Sequence, residues 1–198
     1  MTTVRSRAVI LAIVLCLAAA GLGGFALSRF HAAPTAPAQP ALGQFIAADA
    51  PRPAPDAAFT DLAGKRVTLA DFRGRFVLVN LWATWCAPCI REMPALDRLA
   101  AAMGGADFSI LLVSQDRGGA AKVDPFFEKL GLTKLSTYLD PEGALGRAFG
   151  VRGLPTSVLI GRDGEELGRI EGAADWDGAA LEATLRRYLA AGPKSAAR

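Results

Sequence analysis

The segment Arg75-Phe-Val-Leu-Val-Asn-Leu-Trp-Ala-Thr-Trp-Cys-Ala-Pro-Cys89 joins an apolar run to a pair of cysteines. Residues 75–82 are almost continuously apolar, which predicts a central strand covered on both faces. Pro88 supplies a preset φ at the start of a helix that ends at Gly104-Gly105. Its buried face is predicted from the helical spacing of apolar residues, namely Met93, Leu96, Leu99, Ala100 and Met103. The cysteines are therefore expected where a strand leads into a helix.

Around this segment, short apolar runs alternate with helical patterns, which predicts an α/β fold: a central mixed β-sheet flanked by helices. A helix is expected to open at Asp124-Pro125 and to stop at Gly131. The remaining predicted elements are strands at 67–69 and 108–114, a short helix at 142–149, a hairpin of strands 156–160 and 167–170, and a last amphipathic helix through Leu181 and Leu189.

The cysteine pair has the spacing and position of a redox site. Cysteine reacts as the thiolate, and the N–H groups and dipole at a helix start favour that anion. Cys86 is therefore predicted to be the exposed nucleophile, and Cys89, one turn inside the helix, the buried resolving thiol. A disulfide that closes so short a loop removes only about 2 kcal/mol of unfolded-state entropy, so a structural role is a poor explanation.

Other functions of the cysteines fit less well. Structural zinc needs four ligands, but the only other cysteine is Cys16 in an N-terminal apolar run, and the single histidine is His31. We expect no metal and no cofactor other than the Cys86–Cys89 disulfide. A tethered copper-binding chaperone of related fold remains the alternative, because thiolates suit Cu(I). With a net charge of +3 and scattered basic residues, no nucleic-acid partner is expected.

The N-terminal part predicts export. After a cytoplasmic segment 1–7 that contains Arg5 and Arg7, residues 8–28 form an uncharged stretch long enough to span a bilayer. We predict a single-pass anchor in the inner membrane and a periplasmic C-terminal domain. Two other interpretations compete: a cleaved signal peptide, and a lipoprotein signal at Cys16, which fits less well because the cysteine lies within the apolar run and Leu15 is not small. Either way the domain is exported. Residues 29–56 are rich in Pro and Ala and are predicted to be a linker, followed by the domain at 57–190 and a tail at 191–198.

Three separated motifs support a family resemblance: Leu81–Cys89, Arg91-Glu-Met-Pro94 and Gly153-Leu-Pro-Thr-Ser157. Over residues 59–189 the chain resembles the membrane-anchored periplasmic thioredoxin-like proteins of the TlpA and ResA group, and TlpA most closely. The resemblance implies a thioredoxin fold and a cis Leu154–Pro155 bond facing the cysteines. It also implies a protein-disulfide reductase, a thiol–disulfide oxidoreductase that acts on exported proteins.

The same resemblance suggests partners. The expected substrates are apocytochrome or copper-site proteins whose cysteines await haem or copper during respiratory-complex assembly. A membrane electron donor would reduce the Cys86–Cys89 disulfide again. The Ala-Pro between the cysteines is close to the Gly-Pro of reducing thioredoxins.

Besides the cysteines, the predicted site contains Glu92, Trp85, Leu154 and Pro155, and it differs from ordinary thioredoxins at Asn80. Ordinary thioredoxins carry a buried Asp six residues before the first cysteine, where this chain has Asn80, which cannot relay protons. Glu92 matches an acidic position of the TlpA and ResA group and either accepts a proton beside Cys89 or is an exposed helix charge. Trp85 either shapes the docking surface or packs as an ordinary aromatic. Leu154 and Pro155 are predicted to pair with an extended substrate peptide.

Overall fold

A computed structural model describes residues 43–191. These residues form one eight-stranded sheet in the order β1-β8-β7-β4-β5-β6-β2-β3. The strands are β1 Phe45–Pro53, β2 Phe59–Thr60, β3 Arg66–Val67, β4 Phe76–Trp82, β5 Phe108–Ser114, β6 Thr137–Leu139, β7 Thr156–Ile160 and β8 Glu165–Glu171. The α-helices are α1 Ala87–Met103, α2 Gly119–Lys129, α3 Ala144–Ala148 and α4 Ala179–Ala190.

Strand β4 lies at the centre of the sheet and is buried along its whole length. It runs parallel to β5 and antiparallel to β7, so that Val79 pairs with Leu111 on one side and with Val158 on the other. The predicted mixed sheet flanked by helices is therefore confirmed. A strand with two strand neighbours and both faces covered needs apolar side chains on each face, which explains the continuous apolar run.

Alternate residues of β4 enter two separate cores, as the two-residue period of a strand requires. Leu78 and Trp82 pack on one side of the sheet with apolar residues of α1, α2 and α4. Val79 and Leu81 pack on the other side with apolar residues around α3. Because α1 follows β4 after only four residues, the helix start is held at the carboxyl end of the central strand.

The first strand corrects the predicted linker. Residues 45–53 lie inside the predicted linker 29–56, yet they form β1, an edge strand antiparallel to β8. Backbone pairing is reinforced by the Phe45 ring, which lies 5.3 Å from the Tyr188 ring, and by an ion pair of 3.4 Å between Arg52 and Glu166. The folded domain therefore begins before residue 57. A composition rich in Pro and Ala misled the prediction because an edge strand tolerates both.

Helix α2 and strand β3 also differ from the predictions. Helix α2 begins at Gly119 rather than at Asp124, and Pro125 lies inside it. The fully buried Val123, in the turn before Pro125, packs into the core and stabilises the earlier start. The strand predicted at 67–69 is only Arg66–Val67, because Leu69–Phe72 forms a 3-10 helix with a capping box between Thr68 and Asp71.

The predicted membrane anchor 8–28, the cytoplasmic segment 1–7 and most of the tail 191–198 lie outside the described residues. Within residues 43–191, none of the helices combines the length and apolar character that a membrane span needs.

Candidate active site

The two cysteines lie at the N-terminus of α1 and form a disulfide, with their Cα atoms 5.3 Å apart. Cys86 is the N-cap residue, and its Sγ accepts a hydrogen bond of 3.3 Å from the backbone N–H of Cys89. Cys86 is 5% exposed to solvent, and Cys89 is fully buried. Cys86 is therefore less exposed than the sequence suggested, but it is the cysteine nearer to solvent. The hydrogen bond from the helix N-terminus would also stabilise a Cys86 thiolate after reduction.

Trp85 lies on the surface directly beside Cys86 and is 66% exposed. The interpretation of Trp85 as a packed aromatic is therefore wrong. It lines an open groove of about 370 Å³ together with Leu154 and parts of the segments 115–117, 141–147 and 151–153. Trp82, by contrast, is fully buried as expected, and its indole N–H donates to the Thr137 hydroxyl.

The Leu154–Pro155 peptide bond is cis, as the resemblance implied. Leu81 pairs with Thr156 in the antiparallel register of β4 and β7, so Pro155 is level with Trp82 at the end of β4. Leu154 is half-buried and packs against the core cluster that contains both cysteines. Residues 153–155 therefore lie at the same end of the sheet as the disulfide.

Glu92 is buried inside the domain, so its interpretation as an exposed helix charge is wrong. Its Oε1 accepts a hydrogen bond from Asn80 Nδ2, and its Oε2 accepts from Trp176 Nε1, both at 2.9 Å. Burial raises the pKa of Glu92 above its ordinary value of 4.5, although these hydrogen bonds and one from the Ala174 backbone oppose that rise. Glu92 follows Cys89 by three residues on α1, and both side chains are buried.

Asp116 was missed by the sequence analysis, yet it fixes the loop before Cys86. Its buried carboxylate accepts hydrogen bonds of 2.7 Å from both the backbone N–H and the hydroxyl of Thr84. Ser114 Oγ donates at 3.0 Å and Lys122 Nζ lies 3.3 Å away. Burial alone would raise the pKa of Asp116, but these partners outweigh it and hold the pKa below 3.8. One signal was available: Asp116 comes two residues after β5, at the carboxyl end of a strand parallel to β4.

Trp176 was left without a role by the sequence analysis. It is buried, packs in the same apolar cluster as the two cysteines, and donates its indole N–H to Glu92. No sequence pattern pairs residues 84 positions apart, so this contact was not predictable.

Between residues 43 and 191, no three or more His, Cys, Asp or Glu side chains come together as metal ligands. The expected absence of a metal and of a further cofactor stays a prediction for the whole chain.

A cysteine pair that caps the helix after a central sheet strand defines the chemistry of a thiol–disulfide oxidoreductase. Comparison with known proteins agrees: residues 49–185 match the model of the Redoxin family, and the chain belongs to this family. The thiol-disulfide oxidoreductase ResA of Bacillus thuringiensis subsp. konkukian is 37% identical over 119 residues, which are 60% of this chain and 68% of the relative. ResA of Geobacillus thermodenitrificans is 38% identical over 112 residues, 57% of this chain and 63% of the relative.

Solved structures show the same fold. A DsbE-type thiol:disulfide interchange protein from Chlorobium tepidum matches with a TM-score of 0.64 and 31% identity, covering 71% of this chain and 98% of that one. The exposed lipoprotein thioredoxin of Streptococcus pneumoniae matches with a TM-score of 0.55 and 28% identity, covering 67% and 99%. The thioredoxin-like fold and the thiol–disulfide oxidoreductase activity are thus established for this chain. The special closeness to TlpA stays a prediction.

Proposed function

We propose that this enzyme reduces disulfides in exported proteins, among them apocytochromes or copper-site proteins that await haem or copper. The observation that carries the proposal is the Cys86–Cys89 disulfide at the start of α1, with Cys86 outermost and the exposed Trp85 beside it. The similarity to ResA proteins and the Ala-Pro between the cysteines support this reaction. The alternative of a copper-binding chaperone stays a prediction, and no contact in the described residues favours it.

The reaction is a two-electron exchange between a dithiol and a disulfide. In the reduced enzyme, the Cys86 thiolate attacks one sulfur of the substrate disulfide and expels the other as a thiolate. Cys89 then loses its proton and attacks Cys86 Sγ in the mixed disulfide. This step releases the second substrate sulfur and forms the Cys86–Cys89 disulfide. The substrate gains two electrons and leaves as two thiolates, which are protonated by the proton that Cys89 released and by one from solvent, and the enzyme is oxidised.

We assign Glu92 as the group that accepts the proton of Cys89. Both side chains are buried on α1, where water cannot serve as the base. Burial raises the pKa of Glu92, so this carboxyl group is a better proton acceptor than an exposed glutamate. Asn80, which replaces the thioredoxin aspartate, contributes a hydrogen bond to Glu92 and no proton of its own.

Trp85, Leu154 and Pro155 form the proposed substrate contacts. Trp85 offers an exposed apolar surface beside the nucleophile, and Leu154 lines the same groove. In residues 43–191, the Leu154 N–H and C=O make no hydrogen bond to the protein. They are therefore available to pair with an extended substrate peptide that reaches Cys86.

We further propose an inner-membrane protein with a single-pass anchor at 8–28 and a periplasmic domain, reduced by a membrane electron donor and needing no other cofactor. The uncharged apolar stretch after Arg5 and Arg7 supports the anchor. The pneumococcal structural neighbour is an exposed lipoprotein, which fits a place outside the cytoplasm. Protease accessibility of the domain in intact spheroplasts tests the orientation. A main cellular species that begins well after Leu27 would show cleavage instead of anchoring.

The function is tested by the reduction of insulin with the cysteine variants. Wild-type protein, supplied with electrons, is expected to reduce insulin, and Cys86→Ser to be inactive. Cys89→Ser keeps the nucleophile but lacks the resolving thiol, so it is expected to accumulate mixed disulfides with its partners. Mass spectrometry of the trapped species identifies the substrates. Full activity of Cys86→Ser would refute the assignment of the nucleophile.

A further inference from the structure

The buried Glu92 carboxylate is held by hydrogen-bond donors on both of its oxygens. Oε2 accepts from Trp176 Nε1 at 2.9 Å and from the Ala174 backbone N–H at 3.1 Å. Oε1 accepts from Asn80 Nδ2 at 2.9 Å. None of the ion pairs among residues 43–191 includes Glu92. Neutral donors from β4 and from the chain after β8 therefore fix the carboxylate.

Across residues 43–191, only the nitrogen of the Asn80 side-chain amide makes hydrogen bonds. Its Nδ2 donates to Glu92 Oε1 and to Ser157 Oγ, both at 2.9 Å. Its Oδ1 is buried and has no hydrogen-bond partner within the described part of the chain. Buried acceptors without a partner are rare in folded proteins, and one that lies next to a redox site calls for an explanation.

The two oxygens of Glu92 differ in their ability to take up a proton. Oε2 faces two N–H groups, and neither an indole nor a backbone N–H can accept a hydrogen bond. A proton on Oε2 would therefore have no acceptor and would displace two donors. Oε1 faces the Asn80 amide, whose other end is an oxygen. Rotation of this amide by half a turn places Oδ1 against both Glu92 Oε1 and the Ser157 hydroxyl, which can donate as well as accept.

We propose that Trp176 and Asn80 are positioning residues that direct the proton taken up by Glu92 to Oε1, and that the Asn80 amide turns to accept it. In the ionised state, Asn80 Nδ2 donates to Glu92 Oε1. In the protonated state, the Glu92 O–H and the Ser157 O–H both donate to Asn80 Oδ1, while Nδ2 gives up its two acceptors and takes the buried position that Oδ1 held. This inference rests on the proposed role of Glu92 as the proton acceptor of Cys89.

Other charged groups near this network are few. Cys86 and Cys89 share a buried cluster with Trp176 and are its buried titratable side chains, and the partly buried Tyr188 packs against the same cluster. Asp175 and Asp177 flank Trp176 in the sequence but are exposed, and Asp177 pairs with Arg98 at the surface. In the oxidised protein the cysteines do not titrate, so the carboxyl group of Glu92 can be followed alone.

The direct test is nuclear magnetic resonance of the oxidised full-length protein across a pH series. We expect the carboxyl carbon of Glu92 to titrate, and the side-chain amide resonances of Asn80 and the indole N–H of Trp176 to shift with the same midpoint. This measurement needs no substitution. Asn80 resonances that stay constant while Glu92 titrates would overturn the proposed rotation.

Substitution of Trp176 isolates the role of the indole. Trp176→Phe keeps an aromatic ring in the core but removes a donor that favours the ionised form, so the Glu92 midpoint is expected to rise by about one pH unit. Trp82→Phe is the matched control, because it removes a buried indole hydrogen bond of 3.2 Å to Thr137 instead. The control is expected to leave the Glu92 midpoint unchanged. An equal midpoint in wild type and Trp176→Phe would refute the proposal.

Activity separates this inference from the proposed function. If the proton acceptor is Glu92, the pH profile for substrate reduction by Trp176→Phe shifts upward with the Glu92 midpoint. An unshifted profile, despite a raised midpoint, would refute the part of the inference that links the network to catalysis. A different result would refute the proposed function itself, namely reduction of insulin by Cys86→Ser.

Discussion

Replacement of Asp116 by Ala tests whether a buried carboxylate holds the loop in front of the nucleophile. The change removes the acceptor of two hydrogen bonds of 2.7 Å from Thr84 and one of 3.0 Å from Ser114. Hydrogen bonds to charged groups contribute about 1.5 to 3 kcal/mol each, but Thr84 is half-buried and regains water. The Lys122 side chain is 53% exposed and returns to solvent at little cost. We expect a net loss of about 2 to 3 kcal/mol in the free energy of unfolding.

Urea denaturation at neutral pH measures this loss, with an unchanged m-value as the sign that only stability has altered. Asp107→Ala is the control, because the Asp107 side chain is 72% exposed and its ion pair with Arg162 lies at the surface. The control is expected to change stability by less than about 1 kcal/mol. A loss for Asp116→Ala no larger than for Asp107→Ala would refute the argument.

The pH dependence of the same comparison provides a second check. The pKa of Asp116 is lowered in the folded protein, so its stabilising contribution is present above its ordinary pKa of 3.8 and is lost as the pH falls through the folded-state pKa. The difference between wild type and Asp116→Ala should therefore shrink below about pH 4. Insulin reduction should also slow in the variant, because Thr84 precedes Cys86 by two residues and its released loop no longer holds the nucleophile in place.

Three further outcomes follow from the structure. The pKa of Glu92 is raised from 4.5 in the folded state, so wild type loses stability as the pH rises through the folded-state pKa. Urea titrations should therefore show that Glu92→Gln gains stability relative to wild type as the pH rises. The gain is about 1.4 kcal/mol for each unit by which the folded-state pKa exceeds the unfolded-state pKa. Gly168→Ala should destabilise the domain by about 1 to 3 kcal/mol, since its Cβ would lie 2.6 Å from the Ile46 carbonyl oxygen of β1, whereas Gly105→Ala meets nothing within 4 Å and serves as control. Trp85→Ala should weaken substrate binding, measured as KM, with little change in the unfolding midpoint, because the side chain is exposed.

The central part of the fold was predictable because its signals are local. The bounds of β5 and β7 agree with the sequence prediction, and β4 and α1 differ from it by about one residue at their starts. Short runs rich in apolar residues indicate buried strands, and a Pro followed by helical apolar spacing indicates a helix. The position of the disulfide follows from these two elements alone.

The edges of the domain were not predictable, because the contacts that form them join residues far apart in the sequence. Strand β1 depends on backbone hydrogen bonds to β8, more than 100 residues further along the chain. Its side chains are mostly exposed, so the alternation of apolar and polar residues that marks a strand is absent. Helix α2 contains Pro125, which was taken as a start signal although the preceding turn is already helical.

The candidate site divides in the same way. The cysteines, Trp85, Leu154 and Pro155 were identified from motifs, whereas the contacts of Asp116 and Trp176 join residues 32 and 84 positions apart. Glu92 was also identified from a motif, but only the structure shows that its side chain is buried rather than exposed. Long-range polar contacts leave no periodic signal, so they require the folded arrangement.

Two buried carboxylates near the cysteines have opposite pKa shifts, and their partners explain the difference. Burial raises the pKa of both groups in the absence of other effects. Asp116 accepts short hydrogen bonds from the hydroxyl and the backbone N–H of Thr84, with Ser114 and Lys122 as further partners, so these outweigh burial and the ionised carboxylate anchors the loop before Cys86. The hydrogen bonds that Glu92 accepts from Trp176, Asn80 and Ala174 do not outweigh burial, so its pKa rises. Glu92 follows Cys89 by three residues on α1, and its raised pKa suits the role of proton acceptor that we propose for it, whereas the ionised Asp116 suits the positioning of a loop.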